Sequence, residues 1–262
     1  MSAAKNAFFK TPEEKKSAWL FLVFGAFFSF SFVRFLLMKN ATAAALSLLY
    51  LLIAFALPRA ARALSLFLPT ATHALILSLC LGALLGSTYN FYFLIESWDI
   101  WLHILSGWLF SCLGYAICIL LFTDQEKRRV FPCLLFGVCF SLSIALLWEL
   151  FEWIVTLSLP VDMQEDMLVY QIKSFFLSGT HAEAVHIGGI TKTVIHYGDG
   201  QTLTLSGYLD LGLSDTLSDM AVCLLGSLAF LLLLPLNRLF GGRLLSHLLP
   251  RRISQKSKER RP

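Results

Sequence analysis

Charge is what this chain has least of. Only 15% of its 262 residues are Asp, Glu, Lys or Arg, where soluble domains carry about 25%, while 57% are hydrophobic and the mean hydropathy is +0.70. So little charge cannot clothe a water-facing surface, and a soluble enzyme is excluded. Catalytic signatures are missing too. No nucleophile elbow, zincin motif, P-loop, dinucleotide fingerprint or internal repeat occurs, so the familiar hydrolase, nucleotide-binding and inverted-repeat transporter readings lack their markers. The cysteines, Cys80, Cys112, Cys118, Cys133, Cys139 and Cys223, all fall in apolar stretches. None lies in the one long polar segment where a disulfide would form, so they read as small core residues.

What is present is a set of long apolar runs. Six are long enough, at about 17–25 residues, to cross a hydrocarbon core of ~30 Å as helices. They lie near 18–38, 41–57 (ending at Pro58), 71–93, 99–122, 131–159 and 211–236. The first is too long for the core of a cleaved signal, and Met38-Lys39-Asn40 offers no small-residue cleavage pattern, so it is expected to remain as a span. The fold class expected is all-α: a polytopic transmembrane helical bundle with a small extracytoplasmic α/β cap. Its divisions are a cytoplasmic segment 1–17, five spans over 18–159, a cap loop 160–210, a sixth span 211–236 and a basic cytoplasmic tail 237–262.

Orientation follows from the 21 Lys and Arg residues. Most fall in alternate connections: Lys5, Lys10, Lys15 and Lys16; Arg59 and Arg62; Lys127, Arg128 and Arg129; and the tail from Arg238 to Arg261. The positive-inside rule then places both termini in the cytoplasm. The tail serves as topology anchor and contact for anionic lipids, so the net charge of +4 does not indicate nucleic-acid binding.

The segment 160–210 divides in two. Met163, Met167, Tyr170 and Phe175 recur at roughly helical spacing, which predicts an amphipathic helix on the outer surface. Beyond it, two β-rich runs, Thr191 to Tyr197 and Gln201 to Leu205, flank Gly198-Asp199-Gly200, a hairpin signal. His181, His186 and His196 follow no standard metal-ligand spacing and read as loop histidines.

Three pairs of ionisable residues stand inside or at the ends of the apolar runs: Asp99 and His103, Glu149 and Glu152, Asp215 and Asp219. Members of each pair are three or four residues apart and share a helix face. Threading the spans in order brings all three pairs to the outer half of the membrane. Five carboxylates at one depth, with Arg34 the one intramembrane cation nearby, need neutralising. A divalent cation would serve, and carboxylates with an imidazole suit Mg²⁺, Mn²⁺, Fe²⁺ or Zn²⁺. Asp99, His103, Glu149, Glu152, Asp215 and Asp219 are therefore the candidate metal ligands, with Glu149 and Glu152 the candidate catalytic bases. Protonation would serve equally, as in proton-coupled transport.

Each residue also has a plainer reading. Asp99 and Asp215 stand where they could cap helices, and the others could form a polar packing network. Arg34 is expected to snorkel, and His73 to be structural. Trp98, Trp101, Trp148 and Trp153 read as an aromatic belt, and Gly107 and Gly226, with Ser106 and Ser111, as places where helices approach closely.

The blocks WDIWLHILSG (98–107), ELFEW (149–153) and DTLSDMAVCLLGSL (215–228) resemble the three signature blocks of the YjdF-like family of bacterial polytopic membrane proteins. In that family an Asp and His open one span, a Glu-rich block ends the next and an Asp-Thr-x-x-Asp motif opens the last. The likeness covers about residues 98–230 and implies the same class of protein, without supplying an activity. The long 160–210 segment departs from the short connection of the simplest members.

Three functions remain open on the sequence. The first is a divalent-metal enzyme acting on a lipid or lipid-linked substrate. The second is a proton- or cation-coupled transporter, and the third a structural membrane protein.

Overall fold

The computed structural model describes residues 12–121, 130–159, 161–179 and 182–253. Six helices are long and apolar enough to span a membrane: Lys15–Leu37, Ala41–Ala63, Thr70–Thr88, Trp98–Leu121, Val130–Ser158 and Leu213–Leu239. Their outward surfaces carry side chains such as Leu22, Phe30, Leu52, Leu147 and Leu225, all exposed. In water such surfaces would be untenable; in a bilayer they meet acyl chains.

Two compact units are separable, Met1–Ala145 with Val222–Pro262, and Leu146–Ala221. The first holds α1 (Pro12–Leu37), α2 (Ala41–Ala63), α3 (Thr70–Thr88), the single turn α4 (Phe91–Leu94) and α5 (Trp98–Leu121). It also holds the first part of α6 (Val130–Ser158) and the second half of α7 (Leu213–Leu231). Short helices α8 (Leu233–Leu239) and α9 (Arg243–Leu248) follow.

α1 starts on Pro12, whose missing N–H costs nothing in a first turn. Asn40 caps α2, its Oδ1 accepting from the Ala43 amide at 3.0 Å. Phe28, Ala54, Leu77 and Leu84 interlock α1, α2 and α3, and Cys112, Tyr115, Cys133 and Phe230 do the same for α5, α6 and α7. A two-residue strand β1 (Leu66–Phe67) pairs antiparallel with β8 (Arg251–Arg252), so the end of the described chain returns to the connection after α2.

Two span limits differ from expectation. α2 continues through Pro58 to Ala63, because a membrane helix absorbs one lost backbone hydrogen bond without ending. α3 stops at Thr88, where Asn90 turns left-handed at φ 63° before α4. The last span is interrupted at Leu232: Pro235 has no amide to give the Leu231 carbonyl, and the helix resumes as α8.

The second unit contains the end of α6, the start of α7 and the polar segment between them. The hairpin is present, with β5 (Thr193–Tyr197) and β6 (Gln201–Leu205) in register from Thr193↔Leu205 to Tyr197↔Gln201. Gly198 and Gly200 take φ of 53° and 81° in its turn. The expected amphipathic helix is absent. Its residues form β2 (Leu168–Val169), β3 (Gln171–Ser174) and a 3₁₀ turn at Phe176–Ser178. β3 pairs with β4 (Val185–Gly188), and β2 with β7 (Tyr208–Leu209). Pairing with distant β-rich partners overrides a local helical spacing.

Candidate metal site

α6 and α7 each carry one buried polar stripe. On α6 it runs through Ser141, Ala145, Glu149 and Glu152, and on α7 through Asp219, Cys223, Ser227 and Phe230. Steps of three and four residues keep each stripe on one helix face. The neighbours of the glutamates, Trp148, Leu150, Phe151 and Trp153, are exposed.

In the second unit these stripes bring Glu149, Glu152 and Asp219 together. Each offers an oxygen, and those atoms all lie within 4.8 Å of one another. The three residues are only 4%, 8% and 4% exposed. Were all three ionised, each pair of like charges at that separation would repel by about 3.5 kcal/mol at an effective dielectric of ~20. Three carboxylate oxygens converging at such spacing could hold an oxygen-seeking divalent cation.

Asp99 and His103 belong to the first unit. One turn apart on α5, they form an i,i+4 pair with Nε2 to Oδ2 at 3.6 Å, and His103 is almost buried. Asp215 is half-buried in the first turn of α7. The carboxylate that caps this helix is Asp210, which the sequence reading passed over. Its Oδ1 accepts from the amides of Met167 (3.1 Å) and Gly212 (3.2 Å), and its Oδ2 from the Ser214 amide (2.9 Å). Burial raises the Asp210 pKa, but hydrogen bonds from Ser214, Met167 and Gly212 outweigh it and hold the carboxyl below its ordinary value. The signal available was an Asp ahead of Leu-Gly-Leu-Ser, which is a turn as readily as a cap.

Within the first unit, Ser141 and Ser227 form a hydroxyl knot. Ser141 Oγ donates to the Gly107 carbonyl at 3.0 Å, and Ser227 Oγ donates to Ser141 Oγ at 3.0 Å. Gly107 meets the Cys223 carbonyl and Gly226 the Ile104 carbonyl so closely that neither leaves room for a Cβ. These are the close approaches expected of the two glycines. Ser106 instead bonds back to the His103 carbonyl of its own helix, and Ser111 is buried.

Other sequence candidates lie apart. Arg34 stacks over the rings of Phe35 (4.8 Å) and Tyr89 (5.1 Å). Trp101, Trp148 and Trp153 are exposed as belt residues should be, whereas Trp98 donates to the Gly82 carbonyl at 3.0 Å. His186 and His196 are exposed, and among the described residues neither joins a group of possible ligands. His181 lies outside the described residues.

Six apolar spans with an acidic cluster buried between membrane helices define a polytopic membrane protein. The chain belongs to the family described as predicted membrane protein (DUF2238), whose model matches residues 17–238. This is the YjdF-like family that the three motif blocks resemble. No curated protein and no solved structure matches the chain.

Proposed function

We propose that the protein is a divalent-metal enzyme of the bacterial plasma membrane that acts on a lipid or lipid-linked substrate. The observation that carries this reading is the convergence of three buried carboxylates, Glu149, Glu152 and Asp219, from two membrane helices. Mg²⁺, Mn²⁺, Fe²⁺ or Zn²⁺ would offset their mutual repulsion. Such an ion lowers the pKa of bound water and polarises a phosphoryl or acyl oxygen, and one of the two glutamates takes the proton as general base. A lipid substrate follows from the surroundings, since the side chains flanking the glutamates are exposed and apolar. The positive-inside bias of the sequence supports cytoplasmic termini and an acidic site toward the outer leaflet. The wider ligand set read from the sequence, with Asp99, His103 and Asp215 added, is part of the same proposal.

Metal analysis of gently purified protein tests it. Wild type should hold about one equivalent per chain, and Glu149→Gln, Glu152→Gln and Asp219→Asn should lose it while still inserting. His103→Ala should weaken retention if the wider set holds. A metal-free wild type whose glutamate variants change only in thermal stability would overturn the enzyme reading in favour of a polar packing network. Cation- or pH-dependent flux without turnover would favour transport.

A further inference from the structure

In the first unit, where α2 ends and α1 and α3 begin, a cavity of about 210 Å³ opens beside the paired strands β1 and β8. Its lining combines two chemistries. Arg59 and Arg62 come from the last turns of α2, Phe55 and Phe67 supply apolar wall, and Ser17 and His73 complete it. Lys15, Lys16, Arg251 and Arg252 come from the adjoining ends of α1 and β8.

His73 is the informative member. It is 1% exposed, and its Nδ1 lies 2.7 Å from Ser17 Oγ. Its Nε2 is buried with no hydrogen-bond partner among the described residues. A buried polar nitrogen left in this state is costly and calls for a ligand or water. If the Ser17 hydroxyl donates to Nδ1, Nε2 carries the proton and becomes a donor. Arg59 is already held in place: one guanidinium nitrogen donates to the Phe55 carbonyl at 2.6 Å, and the group lies 3.7 Å over the Phe55 ring. Among the described residues, its remaining donors have no other partner. The donors of Arg59, the positive charge of Arg62 beside it and the histidine call for an acceptor-rich anion, and aromatic wall beside them calls for an apolar extension. The cavity is smaller than a typical drug-sized pocket, so it takes a headgroup and leaves the rest of the molecule in the bilayer.

We propose that this cavity binds the phosphate of an anionic glycerophospholipid, with Arg59, Arg62 and His73 as donors to the phosphate oxygens. The acyl chains run along the exposed apolar faces of α1 and α2, where Val23 and Leu52 lie. Basic pockets between membrane helices recognise anionic headgroups in this way. The proposal is independent of the acidic site and its metal.

Native mass spectrometry of the full chain, titrated with phosphatidylglycerol or phosphatidylcholine, tests it. Wild type should retain phosphatidylglycerol in preference to phosphatidylcholine, and excess inorganic phosphate should not displace it. The double variant Arg59→Gln/Arg62→Gln, at exposed positions that leave the core intact, should weaken phosphatidylglycerol binding by at least about tenfold. His73→Phe should weaken it as well, and Lys39→Gln, at the far end of α1, should not. Equal retention of both lipids, or unchanged binding by the double arginine variant, would overturn the proposal. Displacement by inorganic phosphate would show a free-anion site and overturn the lipid assignment.

Discussion

Gly107 presses its bare Cα against the carbonyl oxygen of Cys223, and this contact sets how closely α5 and α7 approach. Gly226 does the same toward Ile104 from the opposite helix. Reciprocal glycines let two backbones meet in lipid, where burying apolar side chains offers no drive for association.

Gly107→Ala should therefore force the helices apart. The expected loss is about 1–3 kcal/mol, the usual cost of overpacking, seen as a lower Tm in detergent. Gly25→Ala is the control, because a Cβ there would meet only ordinary contacts, the nearest at 3.7 Å.

The hydroxyl knot predicts a coupling. Ser141→Ala and Ser227→Ala should each cost roughly 0.6–1.7 kcal/mol, the range for hydrogen bonds between membrane helices. The double variant should cost less than the sum, because the Ser227 to Ser141 bond is counted in both single losses. Strict additivity in a double-mutant cycle would show the two hydroxyls act separately.

Asp210 gives a pH dependence of known sign. Its folded pKa is below the ordinary value of 3.8. The stabilisation it adds is therefore fully present above that value and disappears as pH falls through the lower folded value. Nearby Asp166 shifts the other way, raised first by burial and then by the charges of Asp162 and Asp210. It therefore takes up its proton before Asp210 does. Asp210→Ala should cost about 1 kcal/mol at neutral pH, and the difference from wild type should vanish in strong acid. Hydrogen exchange at the Gly212 and Ser214 amides reads it directly.

Orientation is tested by reporter fusions after Lys127 and after Gly198. They should report opposite sides of the membrane, with Lys127 cytoplasmic. The same side for both would remove the shared-depth argument that groups Asp99 and Asp215 with the acidic trio.

Features set by one helix period were readable in advance. Glu149 and Glu152 share a face because they are three residues apart, and threading the spans brought Asp219 to their depth. The glycine contacts were legible for the same reason, since small residues deep in apolar spans have few other uses. What escaped was non-local. Asp210 caps α7 through its local bonds from Gly212 and Ser214, but the bond it accepts from Met167 reaches across the cap segment and leaves no local trace. Met163, Met167, Tyr170 and Phe175 show a helical spacing, but pairing of Gln171–Ser174 with Val185–Gly188 decides their structure. Ser141 and Ser227 look like any serine in an apolar span until the partner helix is in place. Pro58 limits the expected second span, yet the helix runs on to Ala63, because proline's local effect on a helix does not decide where a membrane span ends.

The ladder between β2 and β7 makes Leu168 the partner of Leu209. Everything between those residues leaves and returns at one point, so it forms a closed excursion whose length is decoupled from its anchors. A lineage could lengthen, shorten or replace that excursion while the end of α6 and the start of α7 keep their places. Kinship across this family would then be carried by the spans, and variation by what is hung between two of them.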